Sequence, residues 1–127
     1  MSENTDAAKA AYDAFSSGDM ATLAEGFDEN AVWVTSDELP LGGTVSGRDQ
    51  ILANFGEIPN YWSDFSVEPE EFIDAGDWVV VRGTQRASGP GGSFETPFAH
   101  LMHYSGGKVD RGEFFSDSAK AKDALGS

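Results

Sequence analysis

Over residues 3–17 the apolar side chains Ala8, Ala11, Tyr12 and Phe15 fall at i, i+3, i+4 and i+7, the stripe of an amphipathic helix. Gly18 suits the position just past such a helix, and Asp19 can cap a second, short one over 20–27, where Leu23 and Phe27 stand four apart on one face. Residues 31–35, AVWVT, are β-branched and aromatic and read as a strand. Residues 37–45, with Pro40, Gly42 and Gly43, read as a loop or broken hairpin. Ser46, with Asp49 three residues later, has the spacing of a capping box for a third helix. That helix buries Ile51, Leu52 and Phe55 and ends at Gly56 and Pro59.

Beyond Tyr61 the period shortens to that of strands: 62–74 interrupted by Pro69, 78–87, 94–104 and 109–116. Turns at Ala75-Gly76-Asp77, Ser88 to Gly92 and Ser105 to Lys108 separate them. Residues 117–125 read as a short terminal helix or tail. Three N-terminal helices followed by a long antiparallel meander predict an α+β domain. The expectation is a single domain over 1–127, with its core at about 5–117 and a short helix or tail at 118–127. So large a sheet must curl over so few helices and leave its other face partly uncovered. Val79 beside Val80 and Leu101 beside Met102 put apolar groups on both faces, which predicts a homodimer through the outer face.

Composition narrows the function classes. Eight Lys and Arg against 22 Asp and Glu give a net charge of −14, which argues against nucleic acid and anionic membrane as partners. Hydrophobic residues at 39 % are too many for a disordered acidic tail. Cys is absent, so neither a disulfide nor a thiolate site is available. No run approaches the ~20 apolar residues of a membrane span, and Ser2, Glu3 and Asn4 after Met1 form no signal region, so a cytoplasmic location is expected. The surplus carboxylates read as a solvated, self-repelling surface.

Several stretches taken in order carry a resemblance: helix–Ser17-Gly18-Asp19–helix, then FDENAV from Phe27, SGRDQI from Ser46, PFAHLMHYSGGKV from Pro97 and EFFSD from Glu113. Over about residues 5–125 the chain resembles the nuclear-transport-factor-2-like fold. Within that fold it is most similar to the SnoaL-like group, which includes polyketide cyclases, with ketosteroid isomerases and limonene epoxide hydrolases more distant. The resemblance implies a cone-shaped, curved antiparallel or mixed sheet wrapped around three N-terminal helices. It also implies an apolar pocket inside the cone, frequent dimers, and chemistry without metal or organic cofactor.

Alignment with that group, with alternate strand residues facing opposite ways, places Trp33 and Thr35 inward, then Arg82, Thr84 and Arg86, then Pro97, Ala99, Leu101 and His103, then Gly112, Phe114 and Ser116. Phe98, His100, Met102, Tyr104, Arg111, Glu113 and Phe115 would face the dimer side. The acid of the ketosteroid isomerase P-x-D-H motif is replaced here by Ala99, in Pro97-Phe98-Ala99-His100. The Arg-x-Asp of the epoxide hydrolases becomes Arg82-Gly83-Thr84, and their second Asp falls on Phe114. Neither constellation is complete.

Two residues remain as candidates for catalysis. Arg82, inside an otherwise apolar strand, would anchor a ligand oxygen or pair with an acid such as Asp37. Asp37, beyond the first strand, is either a general acid or base over the pocket mouth or an exposed loop carboxylate beside Glu38. Tyr12, Trp33, Thr35, Phe55, Trp62, Thr84, Leu101, His103 and Phe114 are the candidate ligand contacts, the aromatic ones equally at home in a core. His100 and His103, three apart on a strand, cannot share one metal, so no metal site is expected. The expected function is cofactor-independent proton transfer on an apolar carbonyl compound, of isomerase, cyclase or hydratase type. The alternative is a non-catalytic binding or dimeric scaffold domain.

Overall fold

A computed structural model describes residues 3–126. Helices α1 (Glu3–Ser17) and α2 (Met20–Glu25) form a hairpin. Gly18 turns it at φ +75°, and the Asp19 carboxylate accepts from the Thr22 N–H at 3.1 Å and the Thr22 hydroxyl at 2.6 Å. There follow β1 (Phe27–Thr35), β2 (Gly43–Ser46), α3 (Arg48–Gly56), α4 (Ile58–Tyr61), β3 (Ser63–Ala75), β4 (Trp78–Gly89), β5 (Gly92–Ser105), β6 (Lys108–Ser116) and α5 (Ser118–Leu125).

The six strands form one curved sheet in the order β2-β1-β6-β5-β4-β3. The pair β1–β6 is parallel and the rest antiparallel, so the sheet is mixed. Strand β3 is one margin of the sheet. It carries Glu68, Glu70, Glu71 and Asp74, and its pairing shifts register between Pro69 and Glu71.

Three local expectations are corrected. The stretch 37–45 is not all loop, because Gly43–Ser46 pairs with β1. Ser46 therefore lies in a strand and cannot cap α3. Gly47, at φ +94°, stands at that N-terminus with no side-chain cap, and its carbonyl accepts from Ile51 N–H at 3.0 Å. Pro59 does not simply close α3 but opens the extra turn α4, since an N-terminal turn has no use for the missing N–H.

The helices α1 to α3 fill the concave side of the sheet, where Ala8, Leu23, Phe27, Ile51, Val79, Val81, Phe98 and Met102 form the main core. A second, smaller cluster of Ala87, Phe94, Ala121 and Ala124 forms where α5 crosses the end of the β4–β5 hairpin. There the Gly91 N–H donates to Ala124 O at 2.7 Å. Asp117 caps α5 by accepting from the N–H groups of Ala119 and Lys120. Among the described residues no helix is long and apolar enough to cross a membrane.

The facing of β4 and β5 is the reverse of the expectation. Val79, Val81, Gly83, Gln85 and Ala87 are buried along β4, and Phe94, Thr96, Phe98, His100, Met102 and Tyr104 along β5. Arg82, Thr84, Arg86, Pro97, Ala99, Leu101 and His103 therefore stand on the convex face. Water and carboxylates explain the choice. Arg82 bonds Glu71 at 2.9 Å, Thr84 donates to Glu70 at 2.9 Å, and Arg86 bridges Glu68 and Glu95. The opposite parity would have driven two guanidinium groups into the apolar cone, where an unpaired ion is costly. On β6 the inward set is as expected: Gly112 is buried, and Phe114 and Ser116 face the cavity.

Candidate functional site

A cavity of about 190 Å³ lies between the helices and the concave sheet face. Its walls come from α1 (Tyr12, Phe15), β1 (Trp33, Thr35), α3 (Phe55), β3 (Phe65, Val67), β4 (Gln85), β5 (Phe94, His100, Met102, Tyr104) and β6 (Phe114). The loop after β1 (Leu39, Pro40, Leu41), α4 with Trp62 just beyond it, and Ala121 of α5 line it as well.

His100 is the polar centre of this lining. It sits mid-strand, paired across to Val81 on β4 and Phe114 on β6, and is 4 % exposed. Its ring lies edge-to-face with Trp33 (centroids 4.8 Å apart), Phe114 (5.6 Å) and Tyr12 (5.9 Å). Its Nδ1 is 2.7 Å from the Tyr12 hydroxyl. Burial among these rings lowers the His100 pKa from 6.5 to about 3, so the imidazole is neutral at physiological pH. Burial raises the Tyr12 pKa, so the phenol keeps its proton. The tautomer follows: the Tyr12 O–H donates to Nδ1, and the ring proton sits on Nε2.

That Nε2 has no partner among the described residues, nor do Gln85 Oε1 and the Tyr104 hydroxyl. Polar atoms shut inside a protein are nearly always bonded, so three unmet ones on residues that line one apolar cavity are unusual. Among the described residues no Asp, Glu, Lys or Arg lines the cavity. Among the same residues no group of three or more His, Cys, Asp and Glu is placed to hold a metal ion.

Of the residues expected at a site, Tyr12, Trp33, Thr35, Phe55, Trp62 and Phe114 are brought together around this cavity. The other five are not. The Arg82 side chain is 65 % exposed on the convex face. Thr84 is held by Glu70, and Leu101 lies on the same outer face. His103 is on that face too, stacked edge-on to Trp78 with its Nδ1 2.6 Å from Asp110. Asp37 is exposed on the loop, where its neighbours Ser36 and Leu39 reach the cavity and it does not. His100, Gln85 and Tyr104 are the buried polar residues of the lining that the sequence expectation missed. The signal for two of them lay in β5, where the set Phe94, Thr96, Phe98, His100, Met102, Tyr104 holds every Phe and Tyr and the alternate set holds Glu95 and Pro97.

A cone of this build, with an apolar cavity on the concave side of a six-stranded sheet, defines a class that the comparisons make specific. The model of the SnoaL-like domain matches residues 8–112, and the chain belongs to that family. Its fold is nuclear-transport-factor-2-like. A protein of that fold from Burkholderia pseudomallei, of unknown function, is 27 % identical over all of both chains, with a TM-score of 0.92. TerC, co-crystallised with polyporic acid, is 28 % identical over 99 % of this chain and 100 % of its own, with a TM-score of 0.90. A putative SnoaL-like polyketide cyclase from Shewanella denitrificans shares the fold at 16 % identity over 97 % and 96 % of the two chains, with a TM-score of 0.80. No curated protein is significantly similar to the chain.

Proposed function

We propose that the cone binds an uncharged, ring-containing small molecule and holds a carbonyl oxygen of that molecule on the Nε2–H of His100. The observation that carries this is the unpartnered Nε2 of a buried histidine that lines an aromatic cavity, its proton placed there by the Tyr12 bond on the other side of the ring. The absence of charged groups from the described lining favours a neutral ligand. The likeness to TerC, which was co-crystallised with polyporic acid, supports the binding of a ring-containing small molecule but not its neutrality.

In an isomerase- or cyclase-type reaction this hydrogen bond would strengthen as negative charge gathers on the carbonyl oxygen, lowering the barrier to transfer of a neighbouring C–H proton to solvent water. Tyr12 acts as a positioning residue by holding the imidazole in the donating tautomer. The second reading, binding without turnover, is favoured by one specific observation: among the described residues no carboxylate lines the cavity to take that proton.

The bond is tested by calorimetry with 4-acetylbiphenyl and its hydrocarbon analogue 4-isopropylbiphenyl. The double variant Tyr12→Phe/His100→Phe removes both partners of the buried bond together, which avoids leaving one unmet. It should weaken the ketone about tenfold, roughly one hydrogen bond's worth, and leave the hydrocarbon unchanged. Arg82→Met, on the far side of the sheet, should alter neither affinity. Equal losses for both ligands would show that His100 supplies packing and no bond.

We also propose that two copies meet across the convex face. Phe115 is 53 % exposed there and lies opposite Ala99, and Val80 and Leu101 pair one row along. Large exposed apolar groups on a sheet face seek cover. Light scattering at micromolar concentration should give twice the chain mass, and the monomer mass would remove the idea.

A further inference from the structure

The geometry points to a second recognition point in the same cavity: Gln85 selects ligands that carry a hydroxyl at the end remote from the carbonyl. This rests on the carbonyl-binding reading above and adds a second, independent anchor to it. Gln85 is 8 % exposed, lines the cavity, and leaves its Oε1 without a partner. Its neighbours in register cannot supply one. Val67 on β3 is apolar, and the Thr96 hydroxyl on β5 is engaged with the Pro97 carbonyl at 3.2 Å. Around it the cavity wall is apolar, with Val67 and Leu39, the rings of Phe65, Phe94 and Trp62, and Ala121.

A carboxamide presents an acceptor and a donor on one planar group, and a hydroxyl can meet either. A buried amide left unmet is a penalty the fold carries in every molecule. A glutamine in such a place, where leucine would pack as well, is therefore most simply a ligand contact. Its spacing sets the length of that ligand. Gln85 pairs with Thr96, four residues along β5 from His100, so the two levels are ~13 Å apart at ~3.3 Å per residue. Both side chains stand off the sheet, so a ligand bonded to both holds its oxygens between ~7 Å (with two in-line bonds of ~2.9 Å) and ~13 Å apart, a span that takes two linked or fused rings. The substrate class is thus a hydroxyaryl ketone or its alicyclic equivalent, uncharged, with its oxygens at opposite ends.

The test uses 4-acetylbiphenyl and 4-acetyl-4′-hydroxybiphenyl on the full chain. Wild type should bind the hydroxylated ketone at least tenfold more tightly than the parent. Gln85→Leu should abolish that gain, so that the variant binds the two ketones equally. The unliganded Gln85→Leu protein should also melt no lower than wild type, since it loses only an unmet polar group. Equal affinities in wild type, a gain that survives in Gln85→Leu, or a lowered melting temperature would each overturn the assignment. If the parent ketone binds through His100 and the hydroxyl adds nothing, the selection by Gln85 fails while the carbonyl site stands. If the parent does not bind at all, both fall.

Discussion

Between pH 7 and pH 5 the protein is expected to lose about 2 kcal/mol of stability through one residue, His100. Unfolded, this imidazole takes up a proton near its ordinary pKa of 6.5, whereas in the folded protein it does so only near 3. Across that interval the unfolded state binds the extra proton and the folded state does not. The contribution of His100 is therefore complete above pH 6.5 and falls as the pH drops toward 3. The cause is burial. Trp33, Phe114 and Tyr12 face the ring, and no carboxylate among the described lining residues could stabilise an imidazolium. Protonation would also turn Nδ1 from acceptor to donor and end the bond from Tyr12. The check is urea unfolding of wild type and His100→Asn at both pH values. Asn keeps an acceptor near the Nδ1 position and does not titrate. His103 is common to both proteins and cancels in the difference. The stability gap between the two proteins should narrow by about 2 kcal/mol on acidification, and parallel pH profiles would refute the account.

Gly112→Ala is expected to cost about 1–3 kcal/mol, the range for forcing a methyl into a packed core. A β-carbon at Gly112 would lie 2.5 Å from Cζ3 and 2.6 Å from Cε3 of Trp33, well inside contact distance. The indole has nowhere to go. Phe27 at 5.6 Å, Phe55 at 5.2 Å and His100 at 4.8 Å, centroid to centroid, hold it edge-on from three directions. Glycine is needed here for space. If Trp33 is the obstacle, the cost of Gly112→Ala should shrink by at least ~1 kcal/mol in a Trp33→Phe background. A cost that stays the same in both backgrounds would place the strain elsewhere.

Most element positions were legible because their signals are local. The α1 stripe, the Gly18–Asp19 junction and the Gly106-Gly107 turn depend on residues close together in the chain, and the structure uses each of them. Facing was legible only in part. Val79, Val80 and Val81 suit either side of a sheet, so β4 alone does not reveal which side Arg82 takes. The deciding information lies one strand away, in the alternation of β5, and in the row of acids on β3 and β5 that meets Arg82 and Arg86. Alignment to relatives with an inward Arg on this strand supplied the wrong parity, and with it Arg82, Thr84, Leu101 and His103 as site residues. The parallel pairing of β1 with β6 was not legible, because it joins segments far apart in the chain. The unmet bond of His100 is a property of three-dimensional enclosure, and its sequence neighbours Ala99 and Leu101 give no hint of it.

The margin strand β3 has one more consequence. A run of 13 residues with unpaired backbone groups along its outer side is a template on which another chain could build, the first step toward fibrous deposits. Here any incoming strand meets Glu68, Glu70, Glu71 and Asp74 and a break at Pro69, so accretion is opposed by repulsion and by a missing donor. Part of the acidic surplus thus works as a guard against self-templated growth. Being electrostatic, that guard weakens as ionic strength rises.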